Sequence, residues 1–312
     1  MINHVMVPMV ARTTVGMAAA RATMPSPVVL VPTMGALHSG HRALLRRGRQ
    51  IAGLGGSVVV SIFVNPLQFG AGTDLDRYPR TLASDVAVCA DEGASVVFAP
   101  LADQMYPVRR PEARGVSGVV RSPARIEQEI MVNPGPTGEA LEGAFRPGFF
   151  TGVLTVVLKI FNLVRPDVAI FGQKDAQQLF RVRRMVAELN LNIDIASVET
   201  VREPNGLAAS SRNSYLSPAE RVTARALSQA LRAASAAAGR GQEPALAAAR
   251  AELAEAAAAD PPLLIDYLEM VNPATFVPVD AAYSGLAQLL VAGTVGKTRL
   301  IDNALLTVGS AP

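Results

Sequence analysis

The chain is poor in the residues that most often mark chemistry. Its 312 residues include one cysteine, no tryptophan and only three histidines, His4, His38 and His41. A lone Cys89 excludes an internal disulfide, and its apolar surroundings predict a buried thiol in a reducing compartment. Aromatic residues make up 5% of the chain, and lysine is confined to Lys159, Lys174 and Lys297, the remaining basic residues being arginine. Arginines without interleaved aromatics make no stripe for nucleic acid, so no nucleic-acid partner is expected. No apolar run reaches the roughly eighteen residues of a membrane span, and MINHVMVPMV lacks the basic start and sustained apolar stretch of a secretory signal. The expectation is a soluble, cytoplasmic protein with no membrane partner. Acidic residues are missing from one region: residues 1–70 hold six arginines and no Asp or Glu, whereas residues 251–312 hold seven acids against Lys297 and Arg299. The net charge of +3 is therefore local, and it suits a phosphate or a small organic anion near the front half.

What is present is a long series of apolar runs, half of all residues being hydrophobic. The runs VVLVP at 28–32 and SVVVSIFV at 57–64 are continuous, as in strands covered on both faces. ASVVFAP, DVAIFG and IDIASVE read the same way, and helical patterns stand between them: HSGHRALLRRGRQIAGL, LASDVAVCADEG, TGVLTVVLKIFNLV and AQQLFRVRRMVAELN. Repeated strand–helix–strand units predict an α/β fold, with a Rossmann-like, mostly parallel sheet over 1–200. After 200 come two alanine-rich helices broken at Gly239-Arg240-Gly241, then three strand candidates, LLIDYLEMV, AQLLVAGTV and TRLIDNALLTV. Residues 201–312 are read as a second, smaller α+β domain. The stretch 107–148 is interrupted by Arg, Pro and Gly and reads as a long loop with one short helix.

Several motifs sit where strands end. In PTMGALHSGH, His38 and His41 are three residues apart and share one face at a helix start, with Gly40 between them. Helix N–H groups and two imidazoles could receive a nucleotide's phosphates, or the rings could simply cap and pack the helix. Two histidines without a nearby Cys or Asp make only half a zinc site. FVNPLQFG supplies Asn65 and Gln68 to the same carboxyl edge of the sheet, unless Asn65 caps a turn and Gln68 faces solvent. DLDRYPRT crowds Asp74, Asp76, Arg77, Tyr78 and Arg80, either as a solvated loop or with Tyr78 reaching a substrate; Ser84 and Asp85 suit helix capping. FGQKDAQQ brings Gly172, Lys174, Asp175 and Gln178 to another strand end, where Lys174 could meet phosphate and Asp175 could hold ribose or cap a helix. Ser210, Ser211 and Arg212 form either a phosphate-binding run at the domain boundary or an ordinary hinge turn.

Taken together, PTMGALHSGH, SIFVNPLQF, DLDRYPRT, GVLTVVLKIFNLVRPD, GQKDAQQL and NGLAASSRNSYL resemble the pantoate-beta-alanine ligase family of the nucleotidyltransferase-like superfamily with His-x-Gly-His motifs. The resemblance covers roughly residues 20–310. It implies ATP-dependent joining of pantoate to β-alanine through a pantoyl adenylate, with ATP as co-substrate, Mg²⁺ as cofactor and a homodimeric assembly. It implies that His38, His41, Lys174, Ser210, Ser211 and Arg212 act on the phosphates. Gly172 and Asp175 correspond to ribose contacts; Pro32, Thr33, Met34, Gly40 and Val201 to the nucleotide and pantoate walls; and Asn65 to a polar residue close to the phosphates. Gln68 and Gln178 correspond to the pair that holds pantoate, with Tyr78 beside the substrate, and Asp85 lies in the segment associated with magnesium. Departures are visible too. Phe149 stands where the family carries a histidine, Gln173 and Ala176 replace a glutamate and a tyrosine, Ser84 occupies a commonly acidic position, and the loop around 111–138 is about a dozen residues longer. These changes lead us to expect an active enzyme with altered kinetics. An adenylate-forming relative acting on another carboxylate and a non-catalytic nucleotide binder are the alternatives.

Overall fold

The computed structural model describes residues 7–70, 75–106, 108–109, 125–126 and 128–309. Asp74 and most of the first half of the long loop lie outside the described residues. Six strands form one parallel sheet: β1 (Met9–Ala11), β2 (Val28–Thr33), β3 (Ser57–Ile62), β4 (Val96–Phe98), β5 (Val168–Gly172) and β6 (Asp194–Val198), in the order β1-β4-β3-β2-β5-β6. The order reverses direction between β2 and β5, and loops leaving the carboxyl ends of those two strands diverge there to leave a crevice. That crevice is where the histidine motif and the Lys174 motif meet.

The continuous apolar runs have their expected cause. Val29 and Val31 of β2 face a core made with Leu44 and Leu45 of α2 (Ser39–Ala52) and Cys89 of α3 (Leu82–Asp91). Val28 and Leu30 face the opposite core, with Met17 of α1 (Thr14–Thr23), Val153, Val157 and Ile160 of α4 (Phe149–Val164), and Leu179 and Val182 of α5 (Ala176–Glu188). Alternate residues therefore serve two layers, and burying each such side chain contributes about 1.5–3 kcal/mol before entropy is counted. The sequence reading began at β2 and missed β1 and α1. Met9 and Val10 are 50% and 39% exposed, so this three-residue edge strand lacks the buried-strand pattern.

The second unit is an antiparallel sheet of β7 (Leu263–Val271), β8 (Gly285–Val295) and β9 (Thr298–Val308), in the order β9-β8-β7. Helices α6 (Ala226–Ala237) and α7 (Gln242–Ala257) pack on it through Leu227, Leu231, Leu246 and Leu253 against Met270, Leu289, Val291 and Leu300. The break at 239–241 and all three C-terminal strands fall where the sequence puts them. In the long loop, a four-residue helix at Glu142–Phe145 is preceded by a single 3₁₀ turn at Pro136–Gly138.

One close approach sets the site's geometry. A Cβ on Gly152 would collide with the Leu67 carbonyl oxygen and lie 3.0 Å from the Gln68 nitrogen, so only glycine lets the first turn of α4 lie on the turn that carries Gln68. Gly152→Ala is expected to lose about 1–3 kcal/mol of stability through overpacking, read as a lower thermal midpoint.

Candidate active site

The start of α2 is capped by its own histidines. His38 is the N-cap, and its Nδ1 accepts from the Gly40 N–H at 3.1 Å; His41 Nδ1 accepts from the His38 N–H at 3.2 Å. A Cβ on Gly40 would come within 2.9 Å of the His38 ring, which explains the small residue between them. With each Nδ1 accepting, each ring carries its proton on Nε2. Burial lowers the His38 pKa from the ordinary 6.5 to about 4, with Lys174 adding to the effect. Burial, then His38 and Lys174, lowers His41 to about 3. At neutral pH the cleft thus presents two uncharged N–H donors, with ring centroids 4.1 Å apart.

A cavity of about 220 Å³ opens beside them. Pro32, Thr33 and Met34 from the end of β2 line it, with Gly40, His38 and His41. Gly172, Lys174, Asp175 and Gln178 enter from the end of β5, Gln68 and Tyr78 from the segments after β3, and Val201, Ser210, Ser211 and Arg212 from the segment after β6. The sequence-derived site residues therefore converge, with two exceptions.

The first exception is Asn65. It is 0% exposed and does not reach the cavity; its amide donates to Gln68 Oε1 at 2.9 Å and to the Gly152 carbonyl at 3.1 Å, while its oxygen accepts from Tyr106 at 2.6 Å. The residue expected close to the phosphates thus holds Gln68 and is not among the residues that line the cavity. Because Gln68 Oε1 is the acceptor, its NH₂ is the end left to donate towards the cleft. The second exception is Asp85, 2% exposed. Its carboxylate accepts from the Ala36 N–H at 3.1 Å, the Leu37 N–H at 2.8 Å and the Thr81 hydroxyl at 3.1 Å, fixing the loop that leads into His38. Asp85, which the resemblance associates with magnesium, is thus engaged in holding this loop and is not among the residues that line the cavity. Among the described residues, no group of three or more His, Cys, Asp or Glu is placed to hold a metal.

A larger cavity of about 410 Å³ continues the first, the two sharing Arg146, Phe149, Lys174, Asp175, Gln178, Ser210 and Arg212. It lies between the two sheets and is spanned by contacts that sequence reasoning missed. Glu142 receives both terminal nitrogens of Arg299 at 2.7 Å and the Tyr267 hydroxyl at 2.8 Å, while Arg299 Nε donates to Asp266 at 2.6 Å. Burial pushes the Glu142 carboxyl up, but Arg299 more than reverses this and leaves it below the usual range. Asn303 of β9 donates to the carbonyls of Gln173 and Lys174 at 3.0 and 2.7 Å. Tyr78 and Ser211 hydroxyls lie 3.3 Å apart, and Tyr215 donates to the Arg77 carbonyl at 3.2 Å, closing the opposite rim. Arg299 and Glu142 are 157 positions apart in the chain, and Asn303 and Lys174 129, so no local pattern announces these contacts.

The sequence profile described as Pantoate-beta-alanine ligase matches residues 8–305. The chain belongs to the pantoate-beta-alanine ligase family. A pantothenate synthetase of Thermobifida fusca is 58% identical over 281 residues, 90% of each chain. One from Acidothermus cellulolyticus is 52% identical, over 95% of this chain and 91% of its own. The crystal structure of pantothenate synthetase from Thermus thermophilus superposes with a TM-score of 0.82 at 42% identity, covering 95% of this chain and 98% of that one. The pantoate-beta-alanine ligase of Francisella tularensis, solved with β-γ ATP and β-alanine, superposes with a TM-score of 0.72 at 28% identity, covering 96% and 97%.

Against that family background the departures have visible surroundings. Phe149 opens α4 and lines both cavities, with the Arg146 guanidinium 3.5 Å from its ring centroid and Arg146 Nη2 donating to the Gln68 carbonyl at 3.2 Å. Where the resemblance implies a histidine, this position carries an aromatic ring with a guanidinium stacked on its face. Ala176 packs against the Val271, Phe276 and Leu290 cluster, Gln173 donates to Ser197 at 3.2 Å, and the Ser84 hydroxyl donates to the Thr81 carbonyl at 2.9 Å.

The lowered histidine values fix a sign. Between pH 6.5 and about 4 the unfolded histidines take up protons that the folded ones do not, so stability present above 6.5 is lost as pH falls. Between pH 7 and 5, His41→Asn should lose less stability than the parent by about 2 kcal/mol, read from denaturant midpoints. Asp85→Ala leaves the part-buried Ala36 and Leu37 N–H groups without their acceptor and should lower the thermal midpoint, by roughly 1–3 kcal/mol in all.

Proposed function

We propose that the cleft adenylates pantoate with ATP and then transfers the pantoyl group to β-alanine, giving pantothenate, AMP and diphosphate. The observation that carries this reading is the pair of neutral imidazoles beside Lys174 and the Ser210–Arg212 segment around one cavity, in a chain of the pantoate-beta-alanine ligase family. A carboxylate does not acylate an amine directly, because its leaving group would be oxide. Pantoate's carboxylate oxygen therefore attacks the α-phosphorus of ATP; that P–O bond forms, and the bond to diphosphate breaks. Charge builds on the phosphate oxygens, where His38 and His41 donate from Nε2 and the Lys174 ammonium neutralises the departing diphosphate. Ser210, Ser211 and Arg212 supply further donors.

Gln68, turned by Asn65 to present its NH₂, and Gln178 hold pantoate beside Tyr78. Gly172 and Asp175 hold the ribose, while Pro32, Thr33, Met34, Gly40 and Val201 wall the nucleotide. In the second step β-alanine's neutral amine attacks the acyl carbon and AMP leaves. Because the mixed anhydride already carries the activation, no protein nucleophile takes part, and the cleft's task is to keep water from it. Magnesium belongs to this reading as the ion accompanying the nucleotide's phosphates. Among the described residues the side chains do not form a metal cage.

We also propose a boundary near residue 200. In its support, the parallel sheet ends at Val198, and the Arg202 guanidinium pairs with Asp302 of β9 at 2.6 and 3.1 Å. Among the described residues no helix is long and apolar enough to cross a membrane. Cytoplasmic location and a homodimer remain part of the proposal, resting on family membership.

With ATP, magnesium, pantoate and β-alanine, AMP should form only when both organic substrates are present, together with pantothenate. Absence of both products at high protein concentration would overturn the reading. Lys174→Ala should reduce adenylation by roughly 10²–10³-fold with an unchanged thermal midpoint.

A further inference from the structure

Ser210, Ser211 and Arg212 line the 220 Å³ cavity, yet the turn that bears them has little of its own to hold it in place. It opens a five-residue 3₁₀ stretch, Ser211–Tyr215, a form with poorer hydrogen-bond geometry than an α-helix. The hold comes from Asn213, which is 3% exposed and lines neither cavity. Its amide donates to Glu203 Oε1 at 2.8 Å and to the Ala208 carbonyl at 3.0 Å. Glu203 Oε2 accepts from Arg221 Nη1 at 2.6 Å, and Arg221 Nη2 donates back to the Asn213 carbonyl at 2.7 Å. These bonds make a closed ring that begins and ends on one residue. Glu203 and Ala208 belong to the small antiparallel turn after β6, in which Ala209 donates to the Val201 carbonyl at 2.9 Å and Arg202 pairs with Ala208. The ring thus ties the serine–arginine run to the end of the parallel sheet on one side and, through Arg221, to the short helix Pro218–Ala224 on the other.

Packing alone does not account for an asparagine here. Both partners of the side chain are acceptors, so the position demands an NH₂ group, and Asn213→Asp would set a second carboxylate against Glu203. The carboxamide oxygen that comes with that NH₂ is buried without a hydrogen-bond partner among the described residues, which by itself destabilises the fold. What the arrangement secures is the placement of its neighbours. The Ser210 hydroxyl accepts from the Arg212 N–H at 3.3 Å, and the Asn213 N–H donates to the Ser210 carbonyl at 3.1 Å, so a shift of Asn213 is passed to all three residues of the run. We propose that Asn213 is a positioning residue for adenylation: its carboxamide, closed into a ring with Glu203 and Arg221, sets where Ser210, Ser211 and Arg212 stand against the phosphates of ATP. Misplacing such groups by about 1 Å is enough to lower a rate by about 10²-fold. The assignment rests on the reading that this cleft adenylates pantoate with ATP.

The test separates the two chemical steps. The first is read in a single turnover as pantoate-dependent diphosphate release from ATP without β-alanine. The second is read as pantothenate formation from supplied pantoyl adenylate and β-alanine, a step with no diphosphate in it. Asn213→Ala should slow the first by roughly 10–100-fold and leave the second within about twofold. In an Arg212→Ala background, the same substitution should slow the first step by roughly a fifth or less of the factor seen in the parent, because much of what it places is gone. A merely structural role predicts equal losses in both steps and losses that multiply with Arg212→Ala; either result, or no loss in the first step, rejects the assignment. Should Asn213→Ala fold poorly, Arg221→Met opens the ring at its part-exposed link and is read in the same two steps. A smaller loss confined to the first step then supports the assignment, and no loss or an equal loss in both rejects it. A parent protein that releases no pantoate-dependent diphosphate would instead remove the functional reading itself, so the two failures are distinct.

Discussion

Two backbone N–H groups at the start of α2 are accepted by imidazole nitrogens, and both bonds exist only while the rings are neutral. A protonated imidazole has no acceptor, so charging either ring would strip a cap from the helix. Neutrality is also what allows Lys174 to stand close by without like-charge repulsion. It further fixes the remaining proton on Nε2, which is the form an anion can use. Asp85 extends this constraint by one layer, holding the Ala36 and Leu37 N–H groups so that the chain enters the helix at His38. One electrostatic requirement thereby serves helix formation, loop geometry and phosphate recognition.

The rest of the cleft is assembled from far-apart segments, each held by a buried polar contact. Asn65 binds Gln68 and the Gly152 carbonyl, coupling the end of β3 to the start of α4. Glu142, Arg299, Asp266 and Tyr267 join the long loop to the second sheet. Removing one member of such a set costs more than the set contributes net, because the charge left behind is buried. These contacts are therefore better understood as fixing an arrangement than as adding stability. Phe149 and Arg146 fit the same pattern: the aromatic ring provides a flat seat for a cation at the junction of the two cavities.

Much of this was legible in the sequence. β2, β3 and β5 are continuous apolar runs because both of their faces are covered, and the motifs after them converge because parallel strands bring their carboxyl ends to one edge. What failed has equally physical causes. β1 is a short, half-exposed edge strand that pairs with β4, whose sequence lies far downstream, so it has no pattern of its own. The contacts of Asn65 and Asp85 were not legible either, because polar side chains at strand and helix ends are written alike whether they face a cavity or a neighbouring backbone; both are buried against protein groups. Glu142 and Arg299 are common residues whose pairing depends on tertiary packing across 157 positions.

Asn303 donates to the carbonyls of Gln173 and Lys174, the two that flank the Lys174 α-carbon. The base of the lysine side chain is consequently tethered to β9, although the residue itself belongs to the other sheet. Any displacement of β9 must pull on those carbonyls or release them. The position of the Lys174 backbone in the cleft is thereby tied to that of β9, so the cation's placement depends on a strand that contributes nothing to the sheet it leaves.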